Sequence, residues 1–277
     1  MLPNVYQKIC LAFFVLLIVF WGVIHFIGST EGPYNDLYIF LYGLIPLFGG
    51  AAAMVGYRKW GGLSTTLGRA ILLLGLGLFM WGIGETVWAY YTFFLGVELP
   101  YPSLADVFFA PSVFLYTIGT IYLSRVTGNR FSIKSLWSKL FVTLTPIAAL
   151  IVTYYLIILV GNEGELISDK TSFIKSILDI AYPLGDAVSL AVAIVVAGFS
   201  FTYSGGVYKY DVMFILTGLA LMFSADSYLS YTSTTGTAYS GDFGDLLFTL
   251  AVFGLTYGLL GFNKLRKTFP YVASAQA

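Results

Sequence analysis

Charge is scarce in this chain. Of its 277 residues 10% are charged and 58% are hydrophobic, whereas soluble domains carry about a quarter charged residues. That excludes an ordinary soluble globule and points to a membrane protein. Cysteine is nearly absent. Cys10 stands alone, which excludes an intrachain disulfide and a cysteine-based metal site. His25 is the single histidine. It cannot build a His-rich metal centre or ligate a haem from both sides, and it reads as a polar residue near the end of the first apolar run. The 14 basic and 14 acidic residues cancel, so the net charge points to no nucleic acid. No lysine lies inside an apolar run, which excludes a retinal Schiff base. Neither a nucleotide-binding glycine motif nor a Ser-His-Asp set is present, so no enzyme and no cofactor is expected.

What the chain has in abundance is hydrophobic length. Eight apolar runs cover residues 9–27, 37–57, 70–95, 104–123, 140–160, 183–203, 212–231 and 243–262. Each is near the roughly 20 residues that a helix needs to cross about 30 Å of hydrocarbon. The runs are continuous rather than alternating, which favours helices over a barrel. The first follows Lys8 but is long and lacks a small-x-small cleavage site, so it reads as a span rather than a signal peptide.

Basic residues orient the spans. With the N-terminus in the cytoplasm, 12 of the 14 basic residues fall on the cytoplasmic side; Lys170 and Lys175 are the exceptions. The positive-inside rule then puts both termini in the cytoplasm of a multi-pass cell-membrane protein. Thirteen of the 14 acids take the opposite side, Asp211 being the exception. Topology does not demand this second asymmetry, because acids contribute little to it.

The acids also recur in a pattern. Ser103-Leu104-Ala105-Asp106, Pro183-Leu184-Gly185-Asp186 and Asp242-Phe243-Gly244-Asp245 each read cap-like residue, Leu or Phe, small residue, Asp, and each leads into an apolar run. Pro33-Tyr34-Asn35-Asp36 is a fainter copy. Gly84-Glu85-Thr86 with Tyr90 matches Ala225-Asp226-Ser227 with Tyr231. Asp106 follows Glu85 at nearly the same interval at which Asp245 follows Asp226, and Phe109 and Phe248 each come one helical turn after the aspartate. The offset between the two sets is about half the chain. The expected fold is therefore all-α: an integral membrane protein of eight transmembrane helices, built as two parallel tandem four-helix repeats in one bundle. Residues 1–131 form the first repeat, 132–265 the second, and 266–277 a short cytoplasmic tail.

The run Tyr101-Pro102-Ser103-Leu104-Ala105-Asp106-Val107-Phe108-Phe109, with Ala181-Tyr182-Pro183-Leu184-Gly185-Asp186, resembles a known module. It is the multi-helix membrane sensory region found N-terminal to diguanylate cyclase, phosphodiesterase and histidine kinase domains of bacteria. The resemblance spans roughly residues 68–262 and implies an integral-membrane sensory function. Only a short tail follows Phe262, so no output domain is expected on this chain and a catalytic role does not carry over.

Glu85 lies roughly 10–15 Å inside its span, counting back from Leu95 at 1.5 Å per residue. Trp81 and Trp88 flank it on the same helical face. An acid at such a depth costs about 2.5–3.5 kcal/mol by insertion scales, so it faces the bundle interior and marks a candidate site. Asp226 is shallower, with Tyr231 close by. Neither has a basic residue at its level, so the acids are protonated, hydrogen-bonded together, or hold a cation. The bland readings are helix capping for Asp106, Asp186 and Asp245, interhelical stapling for Glu85 and Asp226, and an interfacial belt for the tyrosines, Tyr90 among them. The sharper reading is an outward-facing acidic and aromatic ligand site. Its residues are Glu85, Asp106, Asp186, Asp226, Asp245, Trp81, Trp88, Tyr90 and Tyr231, and its ligand is a cationic small molecule or ion, since aromatic faces add cation–π attraction. A signalling partner on the cytoplasmic face and the lipid bilayer complete the expected partners; nucleic acid is not among them. A small transporter or cation channel is the alternative. Hairpin neighbours suggest the pairs Glu85–Asp106 and Asp226–Asp245, with Asp186 joining the second.

Overall fold

The computed structural model describes residues 3–97, 99–126, 136–155, 173–202 and 208–263. They form eight α-helices: α1 (Val5–Phe26), α2 (Pro33–Gly56), α3 (Thr66–Ala89), α4 (Asp106–Val126), α5 (Leu136–Tyr154), α6 (Phe173–Thr202), α7 (Lys209–Thr235) and α8 (Phe243–Gly261). No strand occurs among the described residues. Seven of the helices, all but α5, are long and apolar enough to cross a membrane, as expected of a multi-pass membrane protein. The fifth predicted run continues beyond Tyr155 into residues outside the described set, as do the boundary between the two predicted repeats and the predicted tail.

Local chemistry sets the helix ends. Asn4 caps α1: its side chain accepts from Gln7 N at 2.8 Å, and Gln7 Oε1 accepts from Asn4 N at 3.2 Å. That reciprocal pair satisfies two otherwise orphaned donors. Pro33 opens α2, where its missing N–H costs nothing. Asp242 caps α8, accepting from Gly244 N at 2.7 Å and Asp245 N at 3.2 Å. Gly236 ends α7 with φ +68°, a left-handed conformation that favours glycine.

One predicted start is wrong. Pro183-Leu184-Gly185-Asp186 is not a helix mouth, because α6 begins well before it, at Phe173, and runs through Pro183. The residues before the proline are mostly apolar and helix-compatible, and membrane helices tolerate an internal proline when neighbours re-satisfy the freed groups. Asp186 therefore lies inside a span and is not a first-turn cap.

Helix order around the bundle follows the chain for α1, α2, α3 and α4, each packing on the next. α6 then packs on α4 and α7, with α5 on its flank. α8 packs on α7 and closes the bundle against α1, α2 and α3. Among the described residues of the seven candidate spans it is the most enclosed, with Phe248, Ala251, Val252, Leu255 and Leu259 all buried. Between apolar helices in lipid, association rests on close packing and interhelical hydrogen bonds, and glycines allow the approach. A Cβ on Gly77 would come within 3.1 Å of Ser112 O, and one on Gly218 within 2.8 Å of Ala251 O.

Two ends of the bundle differ in charge. The α1–α2 and α7–α8 loops meet at one end, where Asn35 Nδ2 donates to Ser240 O at 2.8 Å. Asp36, Asp106, Asp242 and Asp245 sit in or just before the first helical turns at this acidic end. Arg58, Lys59, Arg69, Arg125 and Lys209 stand at the opposite, basic end. There Trp60 Nε1 donates to Phe262 O at 2.9 Å, and the Trp60 ring meets Tyr208 edge-on at 5.3 Å.

Candidate functional site

The first-turn aspartates of α4 and α8 have matching surroundings. Asp106 Oδ2 accepts from Ser103 N at 2.6 Å, and Asp245 Oδ2 accepts from Gly241 N at 2.6 Å. Each second oxygen reaches across to a tyrosine. Tyr182 of α6 donates to Asp106 Oδ1 at 2.7 Å, and Tyr42 of α2 donates to Asp245 Oδ1 at 3.2 Å. The capping role read from sequence is therefore present, but each cap is also an interhelical tie.

Tyr42 does more than its counterpart. Its hydroxyl also donates to Glu85 Oε1 at 2.8 Å, so one phenol bridges carboxyls of α3 and α8. A single hydroxyl hydrogen cannot serve two acceptors fully. The trio is complete when one carboxyl carries a proton and donates it to the phenol oxygen. Glu85 is 4% exposed, and its side chain lies over Gly43 of α2, where a Cβ would come within 2.9 Å of Glu85 Cγ. Glycine at 43 thus makes room for the acid.

Trp81 lies one turn, about 6 Å, from Glu85 toward the basic end. Its ring sits 6.2 Å from Tyr42, 5.6 Å from Phe109 and 5.5 Å from Phe248. These four aromatic rings fill the space between α2, α3, α4 and α8 beneath the acids. Trp88 is half-buried and packs against the same core. Tyr90 and Tyr231 are 53% and 47% exposed. They lie on outer faces, and the structure does not bring them to the carboxyls.

A second acidic cluster joins α6 and α7. The Asp186 and Asp226 carboxyls lie within hydrogen-bonding reach of each other, a contact that only a shared proton or a cation completes. Asp186 is buried and Asp226 half-buried. Tyr116 of α4, itself buried, feels the charge of both. Among the described residues neither its hydroxyl nor Asp186 Oδ2 has a hydrogen-bond partner. Beside them Thr117 and Ser189 hydroxyls pair at 2.5 Å, tying α4 to α6.

The predicted pairs are thus replaced. Glu85 joins Asp245 through Tyr42 rather than joining Asp106, and Asp226 joins Asp186 rather than Asp245. Sequence neighbours on a hairpin share a loop, but their acids project toward the next helix around the bundle. Three tyrosines of the site lie outside the predicted set: Tyr42, Tyr116 and Tyr182. For two of them a signal exists. Tyr42 and Tyr182 stand half a chain apart, nearly the same separation as Glu85 from Asp226 and Asp106 from Asp245.

No three His, Cys, Asp or Glu side chains gather into a metal-holding set among the described residues. What the site offers is a group of oxygen ligands and aromatic faces, with Arg69, Arg125 and Lys209 held at the far end of their helices and Lys175 in the first turn of α6. No family model, curated protein or solved structure matches the chain.

Proposed function

We propose that this chain is a membrane-embedded sensory module that binds a small cationic ligand at its acidic end. It would pass the binding signal to a partner protein at its basic end, as modules ahead of cyclase and kinase domains would. The observation that carries this reading is the Glu85–Tyr42–Asp245 bridge. It places two carboxyls from different helices on one phenol, with Trp81 and its aromatic neighbours directly beneath. A cation displacing the shared hydrogen would draw α3 and α8 onto itself, and aromatic faces would add to the attraction. The ring cluster under the acids favours binding over conduction, because it occupies the route a pore would take.

The proposed topology is eight spans in two parallel tandem repeats, with both termini in the cytoplasm of a cell-membrane protein. Correspondences at one spacing support the repeat. Leu74 packs on Gly119 as Ile215 packs on Gly258. Gly77 meets Ser112 and Tyr116 as Gly218 meets Ala251 and Leu255. Tyr42 ties α2 to α8 as Tyr182 ties α6 to α4. All these pairs share one nearly constant offset, half the length of the chain.

The test is tryptophan fluorescence of the protein in lipid nanodiscs, titrated with tetramethylammonium chloride. The expected result is a saturable change that Glu85→Gln abolishes. Absence of any saturable response, or ion flux through the protein in sealed vesicles that Glu85→Gln removes, refutes the sensory reading and favours a transporter or channel.

A further inference from the structure

The second acidic cluster departs from the first at two places, and both departures are polar. α6 carries Asp186 where the corresponding position of α2, half a chain earlier, is Pro46. α4 carries Tyr116 where the corresponding position of α8, half a chain later, is Leu255. Leu255 is wholly buried, and the two polar replacements are nearly so, at 4% for Asp186 and 2% for Tyr116. Burying a carboxyl oxygen and a hydroxyl without partners is costly. Yet among the described residues the Tyr116 hydroxyl and Asp186 Oδ2 have no hydrogen-bond partner. The hydroxyl is near enough to feel both Asp186 and Asp226 but bonds to neither. The three groups lie together where α4, α6 and α7 meet.

Charge decides what completes the cluster. A water molecule would satisfy the phenol, but with one proton shared by the carboxyls it would leave one negative charge uncompensated in a low-dielectric interior. A cation offsets the charge and takes a lone pair from each oxygen. We propose that Asp186, Asp226 and Tyr116 form a binding site for one monovalent metal cation of sodium's size. The donors are all oxygen, the set that hard cations prefer. Calcium takes about six to eight oxygens, and magnesium keeps an octahedron with several waters, more than two carboxyls and a phenol supply. One sodium and one proton shared by the carboxyls leave the site neutral. The adjacent Thr117–Ser189 pair ties α4 to α6 beside the phenol and the acid. This inference rests on the sensory reading only in taking the carboxyls to face the interior. It adds an ion that holds α4, α6 and α7 together while Glu85 and Asp245 remain for the organic cation.

The experiment is thermal unfolding of the full chain in nanodiscs, in sodium chloride and in caesium chloride at equal ionic strength. The expected result is a higher Tm in sodium that saturates with concentration. Asp226→Asn is expected to remove the difference, and Tyr116→Phe to weaken apparent sodium affinity about tenfold or more. Equal Tm values in the two salts, or a sodium effect unchanged in Asp226→Asn, overturn the proposal. Should a variant fail to fold, radiolabelled sodium binding to the unaltered protein decides: one ion per chain supports the site and none refutes it. A tetramethylammonium response without a sodium effect sinks this inference alone. A sodium effect without that response sinks the sensory reading alone.

Discussion

Removing the Tyr42 hydroxyl probes the bridge most directly. Tyr42→Phe keeps the ring, which is buried and packed against Tyr38 and Trp81 at 5.6 and 6.2 Å. It deletes the bond to Glu85 at 2.8 Å and the longer one to Asp245 at 3.2 Å. Hydrogen bonds to charged groups are worth about 1.5–3 kcal/mol in soluble proteins, and the carboxyls left behind also lose a donor. Interhelical bonds measured inside membranes are weaker, averaging about 0.6 and reaching about 1.7 kcal/mol. The expected loss is therefore about 1–3 kcal/mol for the pair of bonds. Tyr38→Phe is the control. It lies one turn away on α2, is equally buried, and loses one neutral bond, to Thr249 at 2.6 Å; its expected cost is about 0.5–1 kcal/mol. Unfolding free energies in mixed micelles supply both numbers, and a double-mutant cycle with Glu85→Gln isolates the coupling. The reasoning fails if Tyr42→Phe costs no more than Tyr38→Phe, or if Tyr42→Phe and Glu85→Gln are additive.

Gly50→Ala is expected to destabilise by about 1–3 kcal/mol, because the added methyl would stand 2.6 Å from Phe79 N and 2.7 Å from Gly75 O, which are backbone atoms that cannot swing away. Gly22→Ala, with nothing within 4 Å of the new atom, is expected to be neutral or stabilising by up to about 1 kcal/mol through helix propensity; the same micelle unfolding assay compares them. Gln7→Leu removes donors to Asp211 Oδ1 and Tyr257 O, both at 3.0 Å, from a buried position, and a loss of about 1–3 kcal/mol is expected in that assay. In a Cys10→Ser background, impermeant maleimide is expected to reach Thr237→Cys from outside the cell and Ser64→Cys only after lysis; the reverse pattern inverts the proposed orientation.

Apolar length and continuity made the helical membrane fold legible, because a span of hydrocarbon leaves the backbone few alternatives. The carboxyls were legible too: charge inside an apolar run is conspicuous, and Glu85 is buried as expected. Their partners were hidden. Tyr42 and Tyr116 sit among 21 tyrosines, and nothing local separates a bridging phenol from an interfacial one. Pairing was misread because it depends on which helices are neighbours around the bundle, and α2 beside α8 is a contact between distant parts of the chain. The start of α6 was misplaced because Pro183 looked like a helix opener when neighbouring helices let it sit inside one.

The ties between α2 and α8 also bear on how the protein is made. Tyr42 waits 203 residues for Asp245, and Tyr38 and Ile45 wait 211 residues for Thr249 and Thr256. During synthesis α2 and α3 enter the bilayer long before their partner exists, leaving Glu85 and two phenols to meet lipid or water. Insertion of α8 is then the step that seals the nascent bundle. A ribosome that stops short of Phe243 leaves a polar stripe open along α2 and α3, the kind of lesion that membrane proteases read as a signal for disposal.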